Sequence, residues 1–245
     1  MSKIFSRINI LLLITVFFLC NPVFANVVAL GTRVIYPQGD REVTVQLKND
    51  GELPSLIQAW IDDGNTNIPI NKIKVPFVLV PPVFRIEPNK GQTLRISYIG
   101  GNLPEDKESV YFLNILDIPP KNANSGQNTL QMAIRSRIKI FFRPSSLDAN
   151  GASEAVKSVK WSLTKDRQLQ GKNSSAYYVN IAGVEVLVNG KKVNTTEGEM
   201  LAPGGSKVFK SAPLTGVLIG SKLTYKAITD FGGVAVSDSY INGVQ

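Results

Sequence analysis

The stretch "NTLQMAIRSRIKIFFRP", Asn128 to Pro144, decides the fold. From Leu130 onward every second residue is apolar (Leu130, Met132, Ile134, Ile138, Ile140, Phe142), interrupted only at Ser136. That two-residue period predicts a β-strand with one face turned to a core. The opposite face carries Arg135, Arg137, Lys139 and Arg143. A strand of about 14 residues would rise ~46 Å at ~3.3 Å per residue, against a usual ~17–20 Å. Something beyond one small domain is needed to cover it.

The same alternation recurs on both sides of this stretch. It is read in Val43, Val45 and Leu47, in Leu56, Ile57, Ala59 and Ile61 around Trp60, in Leu94, Ile96 and Tyr98, and in "SVYFLNILDI" from Ser109 to Ile118. Turn clusters such as Asp50-Gly51, Asn89-Lys90-Gly91 and Gly100-Gly101-Asn102 separate these runs. No window of helical period and useful length competes, so the chain is all-β, with short strands at the spacing of an immunoglobulin-like sandwich. "SSLDANGASEA", Ser145 to Ala155, is small and polar and reads as a linker or domain junction. A second set of strands follows, including "VKSVKWSL", a hairpin turning at Asn189-Gly190, "GSKVFK", "KLTYKAITD" and "VAVSDSYI".

The first 25 residues stand apart. Lys3 and Arg7 precede an apolar run from Ile8 to Leu19, and Val23-Phe24-Ala25 has the character of a signal-peptidase site. The run is shorter than the ~20 residues a membrane span needs. An exported mature chain beginning near Asn26 is expected. Cys20, the one cysteine, falls in the segment to be removed, so hydrophobic cores alone must hold the remainder. About 220 residues suit one large β domain or two smaller ones, and composition does not choose between them.

Composition excludes several classes of function. There is no histidine, which removes Ser-His-Asp and Cys-His nucleophilic systems and histidine-ligated metal sites. Gly190-Lys191-Lys192 and Gly204-Gly205-Ser206-Lys207 lack the spacing and order of a phosphate-binding loop. Neither an enzyme nor a cofactor or metal is expected. The 27 basic residues exceed the 19 acidic ones, but they are scattered, apart from the cluster in the opening strand. For an exported protein they do not suggest nucleic acid. A solvated basic face and a site for one specific anionic group remain the two readings.

"LPEDKESVYFLNILDIPP", Leu103 to Pro120, lies between "ALGTRVIYPQGDREVTVQLKND" and "TLQMAIRSRIKIFFRP". With "MLAPGGS" and "YKAITDFGG" in the second half, this order of motifs closely resembles the periplasmic chaperones of the chaperone–usher pathway, the PapD-like family that assembles pili. The resemblance covers nearly the whole mature chain. It implies two immunoglobulin-like domains set in an L, here 26–147 and 148–245 after a signal peptide over 1–25. It also implies a donor-strand mechanism in which the chaperone lends a strand to a pilus subunit that lacks one. A domain of ~120 residues is roughly 35 Å across, so one end of a ~46 Å strand should overhang. Ile138, Ile140 and Phe142 then plug the domain's own core. Leu130, Met132 and Ile134 extend past it as an apolar, unpaired edge that calls for a partner.

Further roles follow from the resemblance alone. Arg33 and Lys139 match the two cations that hold the subunit's C-terminal carboxylate. Glu108, Arg143 and Asp230 match a charged network between the domains. Arg135 is left with no role beyond a rim contact. The short connection from Pro119 to Thr129 matches the short-loop branch of the family. Pilus subunits and an outer-membrane usher are the implied partners, and the same edge would let the free protein pair with a second copy. The competing readings are a structural pilin or adhesin, and a secreted carbohydrate-binding sandwich. Against the latter, Trp60 and Trp161 read as core residues.

Overall fold

The structure is a computed structural model and describes residues 27–120, 131–188, 191–194, 197–211 and 213–244. In the N-terminal half, β1 (Val27–Ala29), β3 (Val43–Asn49), β7 (Gly91–Tyr98) and β5 (Phe77–Val80) form a four-stranded sheet in the order β1-β3-β7-β5. Facing it are β2 (Arg33–Pro37), β9 (Ile134–Arg143), β8 (Ser109–Ile118), β4 (Ser55–Asp62) and β6 (Val83–Ile86), in the order β2-β9-β8-β4-β6. The alternating apolar positions meet between the sheets. Val45, Leu47, Leu94 and Ile96 from one pack with Ile57, Leu113, Ile138, Ile140 and Phe142 from the other. The core also takes in the Tyr36 ring, whose hydroxyl donates to Asp40 and Arg41 carbonyls and accepts from the Tyr98 amide, so burial leaves it satisfied.

The C-terminal half forms one eight-stranded sheet around a separate core. Its strands are β10 (Lys160–Leu163), β11 (Leu169–Lys172), β12 (Val179–Val188), β13 (Lys191–Asn194), β14 (Glu199–Leu201), β15 (Ser206–Phe209), β16 (Lys222–Ile228) and β17 (Val234–Val244). They run in the order β13-β12-β16-β17-β10-β11-β15, with β14 beside β12. Trp161 lies at the centre of this core, its ring 5.2 Å from those of both Phe209 and Tyr225. The architecture is the all-β one expected, as two β-sandwich modules.

Three expectations need correction. The strand read over 130–143 is shorter than its periodicity suggested, since β9 spans ten residues from Ile134, a rise of ~33 Å. Its last partner pair is Asp117 with Ile134. Beyond it β8 ends at Ile118, followed by Pro119-Pro120, and proline offers no amide to a ladder. Ile134 is therefore paired on one side, and the length argument for an overhanging end fails. Leu130 lies outside the described residues, as do Asn189-Gly190 and most of the connection from Pro119 to Thr129.

Second, part of the stretch read as a linker is helical, as α1 (Ala149–Lys157). Asp148 caps it by accepting from the Gly151 amide at 2.7 Å. Ala152, Ala155 and Val156 face the core. The run "VKSVKWSL" accordingly begins in a helix, with its strand starting at Lys160. Third, Trp161 is buried but Trp60 is not a core residue. It lies on the outer face of β4, half-covered, beneath the Arg135 guanidinium 5.1 Å away.

Candidate functional site

The first strand of the chain changes sheets partway. Val27–Ala29 pair with Leu47–Asn49 in one sheet, whereas Arg33–Pro37 run parallel to Lys139–Arg143 in the other. Gly31 makes the crossing at φ 149°, a conformation that L side chains rarely adopt. As a result, residues 134–138 of β9 pair with β8 on one side and, among the described residues, have no strand on the other. This bare edge begins in exposed apolar side chains, Met132 at 68% and Ile134 at 56%, and runs into Ile138, buried in the core.

Where β2 begins, two cations meet. Arg33 is opposite Lys139 in the parallel ladder, and both project to the outer face because Val34 and Ile140 take the core face. Arg33 Nη1 donates to the Ile228 carbonyl at 3.1 Å, across to the C-terminal module. Its Nε is buried without a hydrogen-bond partner. Burial pushes the Lys139 ammonium below its usual range, helped by the charges of Arg33 and Arg137. Burial likewise lowers Arg33, opposed by Asp230. Neither cation has an ion-pair partner among the described residues.

Arg143, at the other end of the strand, is fully engaged. Its Nε and Nη2 reach Glu108 Oε1 at 2.8 and 2.7 Å, and Nη1 reaches Asp230 Oδ2 at 2.8 Å. Glu108 Oε2 accepts from the Tyr178 amide at 2.8 Å. Burial raises the Glu108 carboxyl even so, against the hydrogen bond from Tyr178 and the charge of Arg143. Arg143 and Glu108 come from the N-terminal module, Asp230 and Tyr178 from the C-terminal one, so the triad ties the two together. Close packing supports the join. The β16–β17 hairpin turns at Gly232, where an added Cβ would lie 2.6 Å from Thr32 Oγ1.

Sequence reasoning missed a fourth group. Asp62, at the end of β4, is 1% exposed. It accepts from the Gly64 amide at 2.8 Å, from Asn114 Nδ2 at 2.7 Å and from Arg137 Nη2. Arg135 donates to Asn114 Oδ1 at 2.9 and 2.6 Å and comes within 3.7 Å of Asp62. Burial works to raise the Asp62 carboxyl, but the hydrogen bonds from Asn114, Gly64 and Arg137 prevail and hold it below its ordinary value. The signal was present as two arginines, two residues apart on one strand face, which can share one acceptor across the sheet. Nothing in sequence separation links them to position 62.

Two β-sandwich modules, joined by an ionic triad and carrying a bare strand edge beside a pair of cations with no ion-pair partner among the described residues, define a recognisable class. Residues 26–148 match the model of the pili and flagellar-assembly chaperone PapD N-terminal domain, and residues 154–239 that of the pili assembly chaperone PapD C-terminal domain. The chain is 44% identical over 216 residues to the chaperone protein FimB/FhaD of Bordetella pertussis, covering 86% of each. It is 38% identical over 216 residues to the probable fimbrial chaperone YadV of Escherichia coli K12, covering 85% of this chain and 87% of that one. Among solved structures it is similar to the Pseudomonas aeruginosa CupB2 chaperone (TM-score 0.76, 37% identity, 88% of this chain and 100% of that one). It is also similar to the Salmonella enterica SafB chaperone, solved in complex with the SafA pilin (TM-score 0.74, 28% identity, 91% and 99%). The chain belongs to the PapD family of pilus-assembly chaperones.

Proposed function

We propose that this chain is a periplasmic chaperone that binds pilus subunits by donor-strand complementation and hands them to an outer-membrane usher. The observation that carries this reading is the bare edge of residues 134–138, which is continuous with the Arg33–Lys139 pair. An unfinished sandwich can add its open edge to this strand, taking main-chain hydrogen bonds from the backbone and filling its groove with Leu130, Met132 and Ile134. Burying three such side chains contributes ~1.5–3 kcal/mol each before ordering costs, comparable with the ~5–15 kcal/mol that stabilises a whole domain. The lent strand is thus able to decide whether a subunit folds.

Arg33 and Lys139 are the proposed anchor for the subunit's C-terminal carboxylate. The unpartnered Nε of Arg33, and the lack of an ion pair to either cation among the described residues, favour this role. Charge-assisted bonds there would contribute ~1.5–3 kcal/mol each and fix the register of the added strand, since a slip of one residue inverts its faces. Glu108, Arg143 and Asp230 would set the angle between modules, with the division read as 26–147 and 148–245. Residues 1–25 are read as a cleaved signal peptide that directs export. No catalysis or cofactor enters this scheme. A carbohydrate-binding role is disfavoured because Trp60 lies under Arg135 and Trp161 is buried.

The test is to express the chain in the periplasm together with a pilin from its own operon and to weigh what co-purifies. A one-to-one complex is expected, and recovery of the chain alone, with the pilin degraded or aggregated whether or not the chain is present, would overturn the reading.

A further inference from the structure

Besides Arg143 of the triad, four cations gather along or beside β9: Arg33, Arg135, Arg137 and Lys139. Only one acidic side chain, Asp62, forms ion pairs with any of them among the described residues. It takes Arg135 and Arg137 and leaves the other two. The division is sharp in space as well as in charge. Residues 139–143 of β9 are held between two strands, β8 and β2. Residues 134–138 have β8 alone, and this is the segment whose side chains reach across the outer face to Asp62.

We propose that Asp62 is a positioning residue for subunit capture: through Arg137 and Arg135 it holds residues 134–138 flat and extended where no second strand does so. The proposal rests on the donor-strand reading above for its use, but not for its mechanics. An isolated outer strand frays because one ladder must offset the ordering cost of every residue in it. Asp62 supplies a second fixation that leaves the open edge free, because it acts through side chains standing perpendicular to the sheet. The carboxylate itself is hydrogen-bonded through both oxygens. It is buried at the end of β4, with one oxygen on the Gly64 amide and the other on Asn114, and β4 is itself inside the sheet between β8 and β6. Arg137 lies over the Phe112 ring at 3.9 Å and Arg135 over Trp60 at 5.1 Å, so each guanidinium group also rests against an aromatic face.

The same contacts choose the anchor. With Arg135 and Arg137 engaged at Asp62, Arg33 and Lys139 are the two of these four cations that have no ion pair among the described residues. Asp62 therefore serves specificity of register as well as rigidity.

Amide hydrogen exchange on the free chain tests this. In Asp62→Asn, which keeps the shape and the acceptor for Gly64, exchange at the β8-bonded amides within 134–138 should quicken at least tenfold. Amides in 139–143 and in β4 should be unchanged. Equal protection in 134–138, or a uniform loss across β4, β8 and β9, would overturn the proposal. Should Asp62→Asn fail to fold, the double variant Arg135→Gln/Arg137→Gln removes the same ion pairs from the β9 side and is judged by the same comparison. Because exchange is read without a subunit, failure of the wild-type chain to retain a pilin would count against the functional reading alone. A selective loss of protection should also lower pilin retention by the variant, a change that a merely structural carboxylate would not produce without a matching fall in melting temperature.

Discussion

Arg33 stands directly opposite Lys139 in the β2–β9 ladder, and neither cation is neutralised by a carboxylate among the described residues. Two positive charges held side by side and partly out of water are a cost to the free protein. Removing one should raise stability while removing function. Lys139→Met is expected to melt higher than wild type and to bind its subunit roughly 10–150-fold more weakly, from the loss of ~1.5–3 kcal/mol. Calorimetry and a titration with purified subunit measure both.

The pH dependence has a definite sign. The Lys139 ammonium is pushed below its usual range, chiefly by burial. Its charged form therefore penalises the free fold at every pH below that lowered value, and the penalty is relieved as pH rises from there to ~10.4. Subunit binding needs the charge, so affinity should fall as pH rises through the lowered value, sooner than an ordinary lysine would allow. Lys139→Arg should move that loss to higher pH.

Ile134 is more than half exposed in the free chain, so Ile134→Asp should leave the melting temperature within ~1–2 °C of wild type. In a complex the same side chain would enter an apolar groove. Loss of ~1.5–3 kcal/mol of burial, added to the cost of a buried charge, should reduce binding well over tenfold. Subunit co-purification together with a thermal melt separates the two effects.

Within the triad, Arg143→Met would leave Glu108 buried without its cation and should cost about 3–5 kcal/mol in denaturant unfolding. Asp230 is more exposed than Glu108, with a side chain at 25% against 2%. Asp230→Asn should cost no more than ~1 kcal/mol. Its expected effect is a broader distribution of inter-module angles in small-angle scattering.

Acid should release the outer half of β9 early. The Asp62 carboxyl is held below its usual value in the fold, so its contribution is complete above the unfolded value of ~3.9 and is lost as pH falls through the lowered one. Exchange protection at 134–138 should drop in that window before the far-ultraviolet dichroism changes.

Much of this molecule was legible in its residues. Alternation at Val43–Leu47, Leu94–Tyr98 and Ser109–Ile118 carries the N-terminal core directly, because an antiparallel pair with one buried face writes its orientation into every second position. The strand at Leu130–Arg143 was over-read for the same reason. Alternation continues through Met132, but pairing stops where β8 reaches Pro119 and Pro120, and a ladder's length is set by the shorter partner. The helix at Ala149–Lys157 was missed because small residues conceal its apolar face, although Asp148 and the spacing of Ala152, Ala155, Val156 and Val159 encode it. Arg33, Lys139 and the triad were recognisable only by resemblance, since no local pattern links Glu108 to Asp230. Arg135 and Arg137 could not be assigned at all without knowing that Asp62 lies across the sheet.

The crossing at Gly31 has one more implication. Carrying the Arg33–Lys139 register upstream would bring residues 28–32 alongside 134–138, the very stretch left open. The protein thus contains a segment of the right alignment to seal its own gap, and the ladder from Val27–Ala29 to Leu47–Asn49 keeps that segment occupied elsewhere. Availability to a client is in this sense conditional on the tether that holds residues 27–29 away from the gap.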